Sequence, residues 1–177
     1  MKRAEEDLLV IAAQKGNRQA FEALYRFHRI PLARFAYRIC ADDQLAFDAV
    51  QDAWITLSAS LRKLNDPRSF RSWTYKTVRW RVYDLLRKQS KENKAVIAVS
   101  DEQCEYDSYN EVAATSDQLS TQLARLSPQD RQIITLFYLE ELKTVEIASI
   151  LEIPIGTVKS RLSRARSQLR QQMTGEE

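Results

Sequence analysis

Glycine and proline, the residues that punctuate turns, number only 3 and 4 among 177, and alternating runs of Val, Ile and Thr are few. An all-β or α/β fold needs more punctuation than this, so a chain that is nearly all helix is expected. Histidine occurs once, at His28, and the two cysteines, Cys40 and Cys104, stand far apart. One imidazole and two isolated thiols make neither a zinc site nor a disulfide framework, and buried or incidental thiols are the simpler reading. No glycine loop is present to cradle phosphate, and no nucleophile–base set can be built around a single histidine. These absences argue against an enzyme and imply no cofactor and no metal. Nor is there an apolar run of ~18 residues. Met1 to Asp7 is polar and Leu8 to Ala13 is short for the core of a cleavable signal, so a cytoplasmic protein without membrane insertion is expected.

What is present is ordinary for a globular protein, 44% hydrophobic and 29% charged, at a length that allows one medium domain or two small ones. Charge is unevenly spread. Residues 1–90 carry 17 Lys/Arg against 10 Asp/Glu, residues 91–123 carry 2 against 7, and residues 124–177 carry 8 against 7. The middle, rich in Ser, Asp, Glu and Asn and without sustained periodicity, reads as a flexible acidic linker. The expected organisation is therefore all-α, with two small helical domains at 1–90 and 117–177 joined by a linker at 91–116. An acidic tether would not compete with basic faces for a phosphate backbone.

The most informative stretch is Glu141 to Arg170, ELKTVEIASILEIPIGTVKSRLSRARSQLR. A first helix from about Thr144 to Leu151 has Val145, Ile147, Ala148 and Leu151 for a buried side, and Pro154 ends the turn. In a second helix Val158, Leu162, Ala165 and Leu169 form one apolar stripe. Ser160, Ser163, Arg164 and Ser167 fall opposite, flanked by Lys159, Arg161, Arg166 and Arg170. A helix, a tight turn and a second helix with an outward basic face is the helix-turn-helix arrangement that enters the major groove of DNA. The same basic amphipathic pattern also suits a solvated surface helix, a membrane surface or a partner protein.

Upstream, Arg3 to Lys15 reads as a short helix ended by Gly16, with Asn17 capping the next. That helix carries Phe21, Leu24, Tyr25, His28, Leu32, Phe35, Ala36 and Ile39 on one face. His28 is then a core-edge residue, and Pro31 is expected to kink or break the helix. A third helix, capped by Asp42 or Asp43, has Leu45, Ala49, Val50, Ile55, Leu57 and Leu61 as apolar positions. Its exposed side bears Asp48, Gln51 and Asp52 next to Trp54; taken alone, such an acidic pair is an ordinary solvated edge. Asp66 and Pro67 open a helix to about Gln89, with Phe70, Thr74, Thr77, Val78 and Leu85 on one side. Opposite lie Lys76, Trp80, Tyr83 and Arg87, beside Arg79. Cations alternating with aromatics suit single-stranded DNA, since cations neutralise phosphates and rings stack on unpaired bases. A protein–protein interface uses the same residue types. Ser116 or Asp117 caps a helix with Leu119, Leu123 and Leu126. Ser127 and Pro128 start another, with Ile133, Ile134, Leu136, Phe137 and Leu139 as core.

Three of these segments resemble the extracytoplasmic-function group of bacterial RNA polymerase sigma factors. The helix-turn-helix resembles that family's region four through Glu146, Ile147, Ala148, Pro154, Gly156, Thr157, Val158, Lys159, Ser160, Arg161, Leu162, Arg164 and Ala165, led in by Leu126 to Arg131. The helix from Leu45 to Trp54 resembles the region-two helix through Asp48, Val50, Gln51 and Asp52, with Trp54 for the usual aromatic and Phe47 for the usual acid. Ser69 to Asp84 resembles the following element through Phe70, Arg71, Trp73, Tyr75, Arg79 and Asp84, with Trp80 for the usual Asn. The resemblance implies a transcription initiation factor. Asp48, Val50, Gln51, Asp52 and Trp54 would bind the β′ clamp helices of core RNA polymerase. Arg71, Trp73, Tyr75, Lys76, Arg79, Trp80, Tyr83 and Arg87 would melt and read the minus-10 element. Thr157, Lys159, Ser160, Arg161, Ser163, Arg164 and Arg166 would read the minus-35 element. Further partners implied are the β flap of the polymerase and an anti-sigma factor. The rival is a helix-turn-helix regulator that does not replace a sigma factor, against which the ordered region-two matches argue. Two departures bear on the turn. Glu152 stands where Gly is usual, at a cost of about 1 kcal/mol if the position is left-handed. Lys143 stands where a Ser cap is usual, which removes the reciprocal capping box and leaves Thr144 to cap.

Overall fold

The computed structural model describes residues 2–97, 122–123 and 125–174. These hold seven α-helices and no strand: α1 (Arg3–Gln14), α2 (Arg18–Cys40), α3 (Asp43–Ser60), α4 (Phe70–Ile97), α5 (Pro128–Ile134), α6 (Thr144–Leu151) and α7 (Ile155–Thr174). The chain divides into two compact units, Met1–Tyr109 and Asn110–Glu177. Most of the acidic middle lies outside the described residues, as do Cys104, Ser116, Asp117 and Leu119. Helix α4 continues through Ile97, into the stretch read from composition as linker. Nothing in Lys91 to Ile97 breaks a helix, and polarity alone does not end one.

In the first unit α1 packs on α2, and α3 packs on both α2 and α4. Gly16 takes φ +92° after α1, where L residues are strained. Asn17 Oδ1 then accepts from the backbone N–H of Ala20 at 3.0 Å to cap α2. Gln14 fastens the end of α1 to the turn after α3, donating to Leu61 O at 3.1 Å and Leu64 O at 2.7 Å. Pro31 does not break α2, which runs unbroken from Arg18 to Cys40. Leu24, His28, Leu32 and Phe35 bury one continuous face on both sides of it, and that packing outweighs the one backbone bond the missing N–H costs. Cys40 is buried at the end of α2, and burial pushes its thiol up, in keeping with an inert core cysteine. Asp42 caps α3 by accepting from Leu45 N–H at 2.8 Å. Asp66 caps a short 3-10 turn, Pro67–Ser69, from which α4 starts at Phe70.

Aromatics dominate this core. Trp54 meets Phe21 and Tyr25 edge-on, with ring centroids at 5.6 and 5.2 Å, and Tyr75 meets Phe35 at 5.2 Å. Such pairs contribute about 0.5–1.5 kcal/mol each beyond area burial. The second unit is smaller, with α5 and α6 packed against the apolar stripe of α7. Its core is Ile133, Leu136, Leu142, Ile147, Ile150, Val158, Leu162 and Ala165. After α5 the helix widens to a π turn, Thr135–Leu139. The extra residue per turn shifts the face, so Leu139, expected in the core, is exposed together with Tyr138. Among the described residues no helix is long and apolar enough to cross a membrane.

Candidate nucleic-acid and polymerase interfaces

On α3 the buried positions are Ala46, Ala49, Val50, Ala53, Trp54 and Leu57. Val50 and Trp54, both candidates for polymerase contact, therefore face the core. The reason is helical phase: Trp54 lies eight residues after Ala46 and four after Val50, on the same side of a helix of 3.6 residues per turn. The outward face keeps Asp48, half-buried and accepting from Gln44 Nε2 at 3.0 Å, with Gln51 and Asp52 exposed. Two large apolar side chains join them. Phe47 is 59% and Ile55 63% exposed, flanking Gln51 at four-residue steps. The sequence pattern places Ile55 among the apolar positions of α3 and Phe47 where the family has an acid, and the structure exposes both. The spacing that puts both beside Gln51 is visible in the sequence once the core face is known.

On α4 the buried line is Phe70, Thr74, Tyr75, Val78 and Val82, whereas Thr77 and Leu85 are only half-buried. Tyr75, a minus-10 candidate, is thus a core residue 2% exposed. Arg71 also points inward, its side chain 17% exposed and its Nη2 3.2 Å from Glu6 Oε2. The rest of the candidate stripe is exposed or half-buried. Trp80 is 49% exposed, Arg87 is exposed and lies 3.7 Å from Asp84, and Trp73, Lys76, Arg79 and Tyr83 are half-buried. Arg79 lies over the Tyr83 ring at 5.0 Å, so a cation and an aromatic face are already stacked along the stripe. Arg81 donates to Thr56 Oγ1 at 2.8 Å and ties α4 to α3.

Beneath the start of α4 lies a buried ionic cluster. His28 Nε2 is 2.9 Å from Glu6 Oε1, the two side chains being 2% and 5% exposed. With Arg71 the cluster joins α1, α2 and α4. Burial pushes the Glu6 carboxyl up, but His28 and Arg71 together more than offset this and hold it below the ordinary glutamate range. His28, expected at the core edge, is therefore inside and paired.

In the helix-turn-helix, Glu152 adopts φ 57°, ψ 42°, the left-handed conformation, and its N–H bonds to Ala148 O. The chain takes the turn that Gly would take, with a side chain in place. Thr144 does not cap α6. Lys143 occupies the cap position, and half of the capping box survives because Glu146 Oε2 accepts from Lys143 N–H at 2.7 Å. Val145, expected to be buried, is 61% exposed, and Ile150 takes its place in the core. The helix has the expected bounds but carries apolar residues on more than one side, and the buried face is Ile147, Ala148, Ile150 and Leu151.

On α7 the apolar stripe is as expected, with Val158, Leu162 and Ala165 buried. Lys159, Ser160, Ser163, Arg164 and Arg166 are exposed, and Thr157 and Arg161 are half-buried. Three of the arginines have contacts inside the unit. Arg166 lies over the rings of Phe137 and Tyr138, at 5.7 and 6.0 Å. Arg161 Nη1 donates to Gln129 Oε1. Arg164 Nη2 reaches Asp130 Oδ1 at 3.1 Å and Oδ2 at 2.9 Å. The sequence assigns Asp130 no function of its own; its signals are its place in the Leu126 to Arg131 lead-in and its position three after Ser127, the spacing of a cap and its partner.

The sigma-70 region 2 family model matches residues 24–92, and the sigma-70 region 4 model matches residues 116–169. The chain is 32% identical over 151 residues to RNA polymerase sigma factor SigV of Bacillus subtilis, covering 85% of this chain and 89% of that one. It is 26% identical over 173 residues to ECF RNA polymerase sigma factor SigW of the same organism, covering 90% and 92%. Among solved structures, CnrH in complex with the cytosolic domain of CnrY superposes with a TM-score of 0.69 at 22% identity, covering 98% of this chain and 99% of that one. Sigma factor RpoE in complex with the anti-sigma factor NepR from Bartonella quintana gives 0.69 at 24% identity, covering 89% and 98%.

Proposed function

Because the chain belongs to the extracytoplasmic-function group of RNA polymerase sigma factors, we propose that it docks core polymerase through the outward face of α3 and reads promoters with α4 and α7. It is a transcription initiation factor that binds core RNA polymerase and directs it to specific promoters. The family is not enzymatic in general. The cytoplasm is the expected compartment, because that is where core polymerase and promoter DNA meet.

Three surfaces divide the work. Asp48, Gln51 and Asp52, with Phe47 and Ile55, offer a rim of acid and amide around exposed apolar side chains, the composition of a protein–protein contact. Val50 and Trp54 support that face from behind. On α4, Trp73, Lys76, Arg79, Trp80, Tyr83 and Arg87 hold the opened minus-10 strand. Trp80, half exposed and lacking an amide to bond a base edge, stacks. Arg71 and Tyr75 act from inside by fixing the helix. On α7, Ser160, Ser163 and Arg164 are directed to base edges of the minus-35 duplex, while Thr157, Lys159, Arg161 and Arg166 hold phosphates. The β flap of the polymerase is the proposed second contact with core, and an anti-sigma protein is a proposed partner.

The observation that carries this reading is the pairing, in one chain, of the α3 face and α4 stripe with a helix-turn-helix whose exposed face is basic. Core-polymerase capture tests it. The full chain is expected to copurify with core, and a Phe47→Ser, Ile55→Ser variant is expected to lose core while staying folded. A chain that binds promoter duplex as a regulator does, but never binds core, overturns the proposal.

A further inference from the structure

Asp130 is the third residue of α5 and is 2% exposed. Ser127 Oγ donates to its Oδ2 at 2.8 Å and accepts from its backbone N–H at 3.2 Å. A carboxylate this deeply buried is costly unless it is paired. Its charge partner comes from another helix, 34 residues on: Arg164 of α7, whose Nη2 lies within 3.1 Å of both carboxylate oxygens. The other end of this pair is open, since the Arg164 side chain is 58% exposed. Arg164 is thus held from behind by a group that solvent and DNA do not reach, while its outer edge stays available.

We propose that Asp130 is the positioning residue for base recognition by Arg164, so that a buried carboxylate on α5 sets sequence preference at the minus-35 duplex without touching DNA. The inference rests on the reading that α7 enters the major groove. Two physical consequences follow from the pairing. A long guanidinium that would otherwise sample many rotamers is held in one direction, which favours a directional hydrogen bond to a purine acceptor in the groove over loose attraction to phosphate. The neighbouring negative charge also cancels much of the arginine's long-range pull on the backbone, so Arg164 contributes less to salt-dependent, sequence-independent affinity than an unpaired arginine would. Nη1 and Nε are the groups left for the base, because Nη2 is turned to Asp130.

The test uses the full chain assembled with core polymerase and a randomised duplex library at the minus-35 position, at several salt concentrations. Asp130→Asn removes the charge with little change of shape. Asp130→Leu removes every buried polar atom of that side chain and keeps the measurement available should the amide disturb the cap. With either variant the preference at one base pair is expected to fall by roughly 10-fold. The slope of log affinity against log salt is expected to steepen by about 0.9, as the released arginine turns to a phosphate. A purely structural tie between α5 and α7 would instead lower thermal stability and weaken all sequences alike at unchanged slope, and that result overturns the proposal. Arg164→Ala separates the two levels. If it relaxes the preference and the Asp130 variants do not, positioning by Asp130 is wrong. If Arg164→Ala changes nothing, the reading of α7 fails first.

Discussion

Replacing Glu6 by Gln should destabilise the first unit far more than its place near the amino terminus indicates. The carboxylate sits between His28 Nε2 at 2.9 Å and Arg71 Nη2 at 3.2 Å, in a cluster whose side chains are 2–17% exposed. An amide of the same shape keeps the packing but removes the negative charge that faces the Arg71 guanidinium, which is left largely buried without its partner. Removing one member of a buried pair costs about 3–5 kcal/mol. Taking the lower end, since Arg71 keeps some solvent, a loss of about 3 kcal/mol corresponds to a fall in Tm of roughly 12–24 °C for a unit of this size. Urea unfolding of wild type and variant, followed by the fluorescence of Trp54 and Trp73, reads the difference. The effect also has a pH signature. The Glu6 pKa is held below its unfolded value, so the stability it contributes is present above the ordinary glutamate range, about 4.3, and is lost as pH falls through the lowered folded value. The gap between wild type and Glu6→Gln is therefore expected to be full at neutral pH and to close in acid. A loss below about 1 kcal/mol at neutral pH, or a gap that does not change with acidification, refutes the account of the cluster.

Trp54→Ala should cost about 3–5 kcal/mol in the same unfolding assay, as for any large aromatic deleted from a packed core, and any loss of polymerase binding should track that instability. Trp80→Ala should leave unfolding unchanged while weakening binding to a single-stranded minus-10 oligonucleotide in holoenzyme by about 1–3 kcal/mol. Glu152→Gly relieves about 1–2 kcal/mol of left-handed strain against about 0.5–1 kcal/mol of added chain entropy, so a gain of about 0.5–1 kcal/mol is expected in the urea midpoint. Lys159→Ala should reduce the salt slope of minus-35 binding by about 0.9 without changing which sequences are preferred.

The helices themselves were legible because their signals are local: Gly16 and Asn17 between α1 and α2, Asp42 before α3, Asp66 with Pro67 ahead of α4, Ser127 with Pro128 at α5. Harder to read was which way a residue points when a helix is apolar on more than one side. α3 carries Phe47, Val50, Trp54, Ile55 and Leu57, and a 3.6-residue period admits two apolar faces. Only packing against α2 and α4 selects the one that buries Trp54 and exposes Phe47 and Ile55. The same ambiguity exchanged Val145 for Ile150 on α6. On α4, Arg71 and Tyr75 match a family pattern but face inward, because a motif records which residues recur and not which side of the helix they serve. Contacts between distant residues were beyond reach altogether. Nothing in the neighbourhood of Glu6 announces His28 and Arg71, and nothing near Asp130 announces Arg164.

The central claim is tested most directly by transcribing genomic DNA with core polymerase in the presence and absence of this protein and aligning the regions upstream of each new transcript start. The account predicts starts that appear only with the protein, preceded by two shared elements at constant spacing, the upstream one changing its base preference when Arg164 is replaced. Starts identical with and without the protein, or new starts that share no upstream elements, would contradict it.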